Sequence, residues 1–390
     1  MKKLLFLFFI CHLTVYTFSQ RDKVYTELDE ALEDPLNVYK LDLSYTKLKK
    51  LPDVISQLAN LEELNLGQNK LNNLPEAIGK LTKLTYLHVS NNNLSKLPES
   101  IGKLVKLKTL NIGHNLLSIL PNSLCDMKSL KELDISNNKI TSLPENIGLL
   151  TNLFWIEASN NRLTVLPESM ASLPKLEGIS LSINRFVVFP AIITSVKGLK
   201  SLSIGRNKIT IIPSVIGEMK NLTRLDLQEN GIKELSKDIS KLNSLDYLNL
   251  SYNPLVKLDE SFAQLTSLKE LEMTFLEMPV FPDVITRLFE LEILNIGYNK
   301  ISELPESISN LVNLKELYVN DNMIIKLPPS LIELVNLARL DLQANKLKYL
   351  SNEIWTMPSL KYINIDGNKG FKLTPDQRKI LKKKSEEAFN

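Results

Sequence analysis

Two histidines near carboxylates are the residues whose types could hold a metal ion. Asp134 or Glu157 could add a carboxylate to the imidazoles of His88 and His114. These groups are zinc ligands, but a site needs at least three of them to converge. The spacing of apolar residues places His88 within a predicted strand and His114 after the end of the next strand. The two rings are therefore predicted to lie apart. We therefore predict no metal site and no cofactor.

Motifs of the common enzyme classes are missing from the chain. It contains no phosphate-binding P-loop, no HExxH, no GxSxG, and no GxGxxG between a strand and a helix. Cys125 is the one cysteine beyond the first twenty residues, and it stands on an outer turn. We predict that it is a surface or half-buried thiol without a catalytic role, and that the protein is not an enzyme.

A 23-residue pattern, LxxLxLxxNxLxxLPxxIgxLxx, positions these residues. It starts at Val38, runs fourteen times without an insertion or deletion, and begins a fifteenth time at Leu360. The first half of each coil alternates apolar and polar residues, which predicts a strand. The second half has the spacing of a helical or 3₁₀ turn. This self-similarity predicts an α/β fold, a curved solenoid over residues 38 to 370 with parallel strands on the concave face and turns on the convex face.

Asparagine occupies the ninth position of thirteen of the fifteen coils, from Asn69 to Asn368. Its amide is predicted to bond main-chain groups where the chain leaves the strand. Thr46 and Leu276 are the exceptions. Proline follows the second leucine of the turn in most coils and is replaced by Ser236, Asp259 and Ser351. We expect the ninth and tenth coils to be looser there, because proline stiffens the chain.

The first end of the solenoid is predicted to be covered by a helix, since open ends expose apolar edges. Residues 24 to 34 fit a short helix with Thr26 as N-cap and Pro35 after its end. Residues 20–37 are therefore assigned to an N-terminal cap.

The other end carries a capping-box pattern, in which Thr374 is followed three residues later by Gln377. A helix is predicted over 375 to 388, with an apolar stripe that extends to Phe389. Residues 371–390 are assigned to a C-terminal cap.

Residues 1–19 have the pattern of a secretory signal peptide. Lys2 and Lys3 precede an apolar run from Leu4 to Cys11, and small residues before Gln20 suggest cleavage there. The run is too short to span a membrane, and the residue before Cys11 is not small, which disfavours a lipoprotein. Without cysteine-rich caps, the pattern favours an exported bacterial protein that is periplasmic, at the cell surface or secreted.

The third, fifth and seventh residues of each coil are predicted to point out of the strand face, with the eighth at its rim. We call these side chains the strand wall. Ten acids and three bases occupy its third and fifth columns, so the wall is predicted to be acidic. The net charge of +3 falls to +1 without the signal peptide, and nothing in the sequence indicates nucleic-acid binding.

Aromatic residues on the strand wall are the sharper functional signal, because rings exposed on a rigid surface are typical of protein-binding hot spots. Cross-strand stacking for local stability explains them equally well. The densest group lies in coils ten to thirteen, around Leu276. The candidate partner-binding residues are Tyr86, Trp155, Arg224, Tyr247, Tyr252, Glu272, Phe275, Ile293, Tyr298 and Tyr318.

The LPxxIgxLxxL turns and LxxLxLxxN strands resemble the leucine-rich repeat family, in particular its Ras-group type. The start of the repeats at residues 35 to 44 is similar to exported leucine-rich repeat proteins of Bacteroidetes and Leptospira. The resemblance covers nearly the whole mature chain. It implies a binding fold and carries no catalytic residues, because the motif consists of packing positions.

Three functions remain open from the sequence. The first is a non-enzymatic module that binds a protein ligand on its concave face. The second is a cell-surface glycan receptor, in which Tyr and Trp stack on sugar rings. The third is a scaffold in signal transduction that regulates a GTPase or kinase, which the signal peptide disfavours. No membrane span is predicted after signal cleavage.

Overall fold

The computed structural model describes residues 21–388. Contacts divide the chain into two units, Met1–Arg185 and Phe186–Asn390, and each is described by itself. The predicted signal peptide and Phe389 lie outside the described residues.

In the described part of the first unit, eight short strands pair in parallel and follow one another in chain order. From β2 onward, neighbouring strands align 23 residues apart, as in the pairing of Leu64 with Leu87. The strands are β1 (Val24–Tyr25), β2 (Lys40–Asp42), β3 (Glu63–Asn65), β4 (Tyr86–His88), β5 (Thr109–Asn111), β6 (Glu132–Asp134), β7 (Trp155–Glu157) and β8 (Gly178–Ser180). Helix α1 is Leu28–Glu33, and 3₁₀ turns span Pro35–Asn37, Asp53–Gln57, Glu76–Lys80, Glu99–Lys103, Asn122–Asp126, Ile147–Leu149 and Glu168–Ser172.

The described part of the second unit has the same construction. Its strands are β9 (Ser201–Ser203), β10 (Arg224–Asp226), β11 (Tyr247–Asn249), β12 (Glu270–Glu272), β13 (Ile293–Asn295), β14 (Glu316–Tyr318), β15 (Arg339–Asp341) and β16 (Tyr362–Asn364). Its 3₁₀ turns span Ala191–Ser195, Ser214–Glu218, Lys237–Lys241, Glu260–Gln264, Asp283–Arg287, Glu306–Asn310 and Pro329–Glu333. Helices α2 (Asn352–Trp355) and α3 (Pro375–Ala388) complete it.

The core of each unit is built from the apolar positions of the repeat. In one coil, Leu84, Leu87 and Val89 are completely buried, and the residues between them on the strand are not. A fully buried leucine contributes roughly 1.5–3 kcal/mol, so the repeated leucines determine which strand face turns inward. The predicted solenoid class is confirmed in both units.

The ninth-position asparagines form the predicted ladder. The amide of Asn92 donates to the carbonyls of Leu66 at 2.9 Å and Val89 at 3.2 Å, and its oxygen accepts the N–H of Leu71 at 2.9 Å. Because Asn92 is buried, these bonds satisfy polar groups that water cannot reach. Each asparagine of the ladder therefore joins its coil to the one before it.

The two coils that lack this asparagine share a backbone change. The tenth-position residues Lys47 and Glu277 have φ of +60° and +58°, and in the described residues they are the non-glycine members of that column with positive φ. Thr46 partly replaces the amide, since its hydroxyl donates to the carbonyl of Leu43 at 2.9 Å. Leu276 has no polar side chain with which to do this.

The coils without the turn proline are not uniformly looser, which corrects the sequence expectation. Ser236 accepts the N–H of Asp238 at 3.2 Å, and Asp259 accepts the N–H of Ser261 at 2.9 Å. Side-chain caps therefore replace proline at the start of these two turns. Ser351 makes no such bond and precedes helix α2.

The N-terminal cap differs from the predicted helix. Val24 and Tyr25 form strand β1, which pairs with Lys40 and Leu41, and helix α1 begins only at Leu28. A strand satisfies the open edge of β2, which a helix cannot do. The predicted N-cap, Thr26, is therefore wrong, and Glu27 takes that place without a side-chain bond.

The C-terminal helix follows the prediction. Helix α3 is Pro375–Ala388, and its capping box is formed in both directions. The Thr374 N–H donates to Gln377 Oε1 at 3.0 Å, and the Gln377 N–H donates to Thr374 Oγ1 at 3.2 Å. The side chain of Gln377 also donates to Asn352 at 3.1 Å, which ties the helix to the preceding coil.

Candidate functional site

The structure places the candidate residues on the strand wall of both units. Tyr86 and Trp155 lie on β4 and β7 of the first unit. Strands β10 to β14 of the second unit carry Arg224, Tyr247, Glu272, Ile293 and Tyr318. The other three, Tyr252, Phe275 and Tyr298, take the eighth position of coils ten, eleven and twelve.

Those three rings form one aromatic stack. The Tyr252 and Phe275 centroids are 4.2 Å apart with planes 13° from parallel, and the Phe275 and Tyr298 centroids are also 4.2 Å apart at 11°. Both faces of the Phe275 ring are therefore covered. The three residues remain 47%, 37% and 45% exposed in chain order, so the stack is accessible to solvent, with Phe275 presenting its ring edge.

The backbone under the stack is strained. Tyr252, Phe275 and Tyr298 have φ of +57°, +54° and +53°. A left-handed conformation costs roughly 1–2 kcal/mol for a residue with a side chain. Every eighth-position residue of the described coils shares it, so the bend is imposed by the repeat, and this column holds whichever side chain the sequence supplies.

In the first unit, the two aromatic candidates have different surroundings. Tyr86 meets His88 edge-on, with centroids 6.3 Å apart. Trp155 lies across Gly178 of the next coil, where an added Cβ would come within 1.9 Å of the indole Cζ3. The Trp155 ring therefore occupies the space that a side chain at residue 178 would need. Packing against Gly178 is part of the role of this tryptophan.

Arg224 lies over an aromatic ring of the strand wall. Its guanidinium carbon is 4.0 Å from the centroid of Tyr247. Arg339 and Tyr362 repeat the arrangement at 4.3 Å. Such cation–π contacts contribute roughly 0.5–1 kcal/mol at exposed sites, and they orient the guanidinium along the strand wall.

Most fifth-column acids have a local structural role that the sequence reading missed. Each accepts the N–H two residues further along, at the point where the strand ends: Asp42 from Ser44, Asp134 from Ser136, Glu157 from Ser159, Asp226 from Gln228 and Asp341 from Gln343. Asparagine does the same in other coils, as Asn249 does for Ser251. The acidity of this column therefore follows in part from the turn chemistry of the strand ends.

Glu272 is the exception among these acids. The N–H of Thr274, which it would otherwise accept, donates instead to Ser251 Oγ at 3.1 Å. Burial raises the pKa of Glu272 to about 7, the amide of Asn295 opposes the shift by hydrogen bonding, and the charge of Glu270 adds to it. The carboxyl group of Glu272 therefore lies on the strand wall without accepting a main-chain N–H at the end of its strand.

Tyr318 is tied to its own strand. Its hydroxyl donates to Glu316, and burial together with this bond raises the pKa of Tyr318. Arg339 approaches the same carboxylate at 3.9 Å. Tyr318 therefore presents a fixed ring on the same strand face as Tyr247, as the sequence predicted.

A cleft beside the aromatic stack is the feature that the sequence reading did not find. It has a volume of about 800 Å³, and its lining includes Arg206, Glu229, Tyr252, Leu255, Phe275 and Met278. We call it the rim cleft. Leu276, the gap in the asparagine ladder, also lines it. The interrupted ladder was therefore the available sequence signal.

The histidines considered for a metal site do not converge with other ligands in the part of the chain that the structure describes. His88 contacts the Ser90 hydroxyl at 2.5 Å, and His114 contacts Asn137 at 3.1 Å. Groups of three histidine, cysteine or acidic residues suited to a metal do not occur in residues 21–388. Cys125 is 2% exposed, more deeply buried than predicted, and burial raises the pKa of its thiol, which disfavours the reactive thiolate.

Family models agree with this architecture. The leucine-rich repeat region matches residues 32–115 and 95–189, and leucine-rich repeat models match 220–275, 313–369 and 290–311. A leucine-rich repeat protein of Leptospira interrogans is 31% identical, with a TM-score of 0.73 over 87% of this chain and 99% of that one. The chain belongs to the leucine-rich repeat family. Its members are commonly protein–protein interaction modules and are generally not enzymes.

Two other solved structures are similar to the chain. An internalin of Listeria monocytogenes is 21% identical, with a TM-score of 0.65 over 85% of this chain and 88% of that one, and shows the fold alone. A plant peptide hormone receptor in complex with RGF2 is 26% identical, with a TM-score of 0.64 over 88% of this chain and 61% of that one. No curated protein sequence matches the chain.

The described helices are short or polar. Between residues 21 and 388, none could carry the chain across a bilayer.

Proposed function

We propose that this protein is a non-enzymatic binding module that holds a protein ligand on its concave face. The eight candidate residues of the second unit form its contact surface, centred on Tyr252, Phe275 and Tyr298, and Tyr86 and Trp155 are the proposed contacts of the first unit. The aromatic stack carries the proposal, because three ordered rings remain 37% to 47% exposed beside an 800 Å³ cleft. Aromatic side chains that are already fixed lose little entropy when a partner covers them.

The geometry of the stack favours a protein over a glycan. A sugar ring packs its C–H groups on an open aromatic face, and both faces of Phe275 are occupied. The exposed ring edges instead suit carbonyl oxygens and other aromatic side chains. A plant peptide hormone receptor with 26% identity provides a precedent for ligand binding on this fold.

A triple variant tests the proposal. Tyr252→Ala, Phe275→Ala and Tyr298→Ala together should abolish capture of the partner that the wild-type chain crosslinks in an envelope extract of the source organism. The matched control removes three other exposed apolar side chains of the second unit by Ile211→Ala, Ile325→Ala and Tyr349→Ala. If the control variant loses capture of the partner and the triple variant retains it, the strand wall is excluded as the binding surface.

The predicted export of the chain belongs to the same proposal. Residues 1–19 direct it out of the cytoplasm, and the mature protein begins at Gln20. N-terminal sequencing of the native protein, together with cell fractionation, tests both points. An uncleaved cytoplasmic protein would favour the alternative of a GTPase or kinase scaffold.

A further inference from the structure

The rim cleft lies where two regular hydrogen-bond ladders of the second unit are broken. In most other coils the tenth-position N–H donates to the coil before it, as Lys208 does to Phe186 at 2.8 Å and Lys300 to Met278 at 2.9 Å. Pro254 has no N–H to donate. Glu277, with φ of +58°, makes no such bond. At this position coil ten is therefore joined neither to coil nine, which Pro254 faces, nor to coil eleven, which carries Glu277.

The asparagine ladder is broken at the same place. An Asn253 oxygen accepts the N–H of Ile232 at 3.1 Å, but Leu276 offers no oxygen to the corresponding N–H of Leu255. Within residues 21–388, neither the N–H nor the carbonyl of Leu255 has a protein hydrogen-bond partner. Leu255 lines the rim cleft. The donor and the acceptor of one residue are thus available to a ligand in a cleft that both apolar and charged side chains line.

The strand wall near the cleft carries an acidic group around Glu272. Glu272 lies three residues before Phe275, has no role at the strand end, and is flanked by Glu270 on its own strand and Asp226 two strands away. The nearby bases are already engaged, because Arg224 lies over Tyr247 and Arg206 pairs with Glu229 at 2.7 Å. A cation brought to Glu272 would therefore meet no competing positive charge that is free.

We propose that the rim cleft and Glu272 form an anchor site for an extended segment of the protein ligand, which inserts an apolar side chain against Phe275, Leu276 and Met278 and directs a lysine or arginine to Glu272. The main chain of the segment bonds the N–H and carbonyl of Leu255. This inference rests on the proposed function and names the ligand chemistry of one part of its surface.

The distance between Glu272 and Phe275 determines how far apart the two anchoring residues of the ligand are. Phe275 follows Glu272 by three positions, so their Cα atoms are within about 10 Å of each other. An extended segment covers that distance in one to three residues. The apolar anchor and the basic residue of the ligand are therefore one to three positions apart.

A peptide main chain fits the cleft better than a sugar or an aliphatic chain. It presents a donor and an acceptor at the spacing of one residue, which matches the unpaired groups of Leu255. An aliphatic chain would leave both groups unpaired, at a cost of roughly 1–3 kcal/mol each. A neutral sugar would leave Glu272 without a cation.

The probe is a phage-displayed library of random dodecapeptides, selected on the full mature chain, with a glycan array in parallel. Enriched peptides should share a leucine, isoleucine, methionine or phenylalanine one to three residues from a lysine or arginine. A synthetic peptide of the consensus is then titrated against variants by calorimetry. Sequences without this pair of residues overturn the inference.

One variant restores the asparagine ladder at Leu255 and should close the cleft. Leu276→Asn supplies the oxygen that the N–H of Leu255 lacks, and it should weaken peptide binding about tenfold or more without lowering the melting temperature. Pro254→Lys is the matched control. Its new N–H faces Ile232 of coil nine, at an exposed position where other coils have lysine, and leaves Leu255 unpaired, so the affinity should change less than about threefold. Unchanged affinity in a folded Leu276→Asn overturns the inference, and if that variant does not fold, Glu272→Gln decides it.

Glu272→Gln tests the charge separately. It should weaken the consensus peptide about tenfold and leave a peptide with norleucine in place of its lysine unaffected. Peptide binding that depends on Tyr86 and Trp155 but not on these variants preserves the proposed function and removes the anchor site. Glycan binding with no enriched peptide removes both.

Discussion

Asn299 holds the main chain of Leu276, the residue that interrupts the asparagine ladder, by an additional hydrogen bond. Its Oδ1 accepts the N–H of Leu276 at 3.1 Å and the N–H of Met278 at 3.2 Å. In the next coil, Asn322 accepts the N–H of Ile301 at 3.0 Å. A carbonyl oxygen has two lone pairs, so one amide can stabilise two interrupted positions.

Asn299→Ala should therefore destabilise the protein more than Asn322→Ala. Both variants leave buried main-chain groups unpaired, at a cost of roughly 1–3 kcal/mol for each group, and the first leaves one N–H more. Urea unfolding of the two variants measures the difference. Equal losses would show that the second bond to Asn299 contributes nothing.

Phe275→Ala should lower the free energy of unfolding by about 1–3 kcal/mol, because it removes two stacked contacts of roughly 0.5–1.5 kcal/mol each. The matched control is Tyr86→Ala, whose ring is also 37% exposed but is not part of a stack. Its loss should be smaller by about 1 kcal/mol. If Phe275→Ala is as stable as the wild type, local stability no longer explains the rings, and binding becomes their remaining role.

Glu272→Gln should change the pH dependence of stability. The pKa of Glu272 is raised from 4.5 to about 7 in the folded protein. The folded state therefore holds this proton more tightly than the unfolded state, and the wild type loses stability as pH rises from about 4.5 through 7.

Glutamine does not ionise, so the variant lacks this loss. It should match the wild type near pH 4.5 and exceed it by up to about 2 kcal/mol at pH 8, after allowance for partial solvent exposure. Urea unfolding at both pH values measures the gap. A difference in the free energy of unfolding that is the same at pH 4.5 and pH 8 contradicts the raised pKa.

Gly178→Ala should displace the Trp155 ring, because the new Cβ would overlap the indole. We expect a loss of roughly 1–3 kcal/mol and a change in tryptophan fluorescence. The control is Gly231→Ala, where the nearest atom to an added Cβ is Thr210 Cγ2 at 3.1 Å. Adding Trp155→Ala to Gly178→Ala should remove the overlap, and a further loss larger than that of Trp155→Ala alone would show that the ring is not the cause.

Sequence reasoning predicted the repeat fold because its buried residues are periodic. Leucines at fixed positions of every coil must turn to the same side, and the asparagine at the ninth position has one set of main-chain partners. The capping box at Thr374 and Gln377 was also predictable, since it depends on residues three apart. The N-terminal cap was not, because β1 forms by pairing with a strand sixteen residues further on.

The candidate site was predictable only as a set of outward positions. The sequence by itself determined which columns face solvent and that the ladder is broken at Leu276. Tertiary structure decided that three rings stack, so that both faces of Phe275 are covered. It also decided that Glu272 alone among the fifth-column acids has no role at a strand end, and that a cleft opens beside Leu255. These features depend on side chains 23 residues apart and on the sign of φ at Glu277, and a pattern of residue types within one coil contains neither.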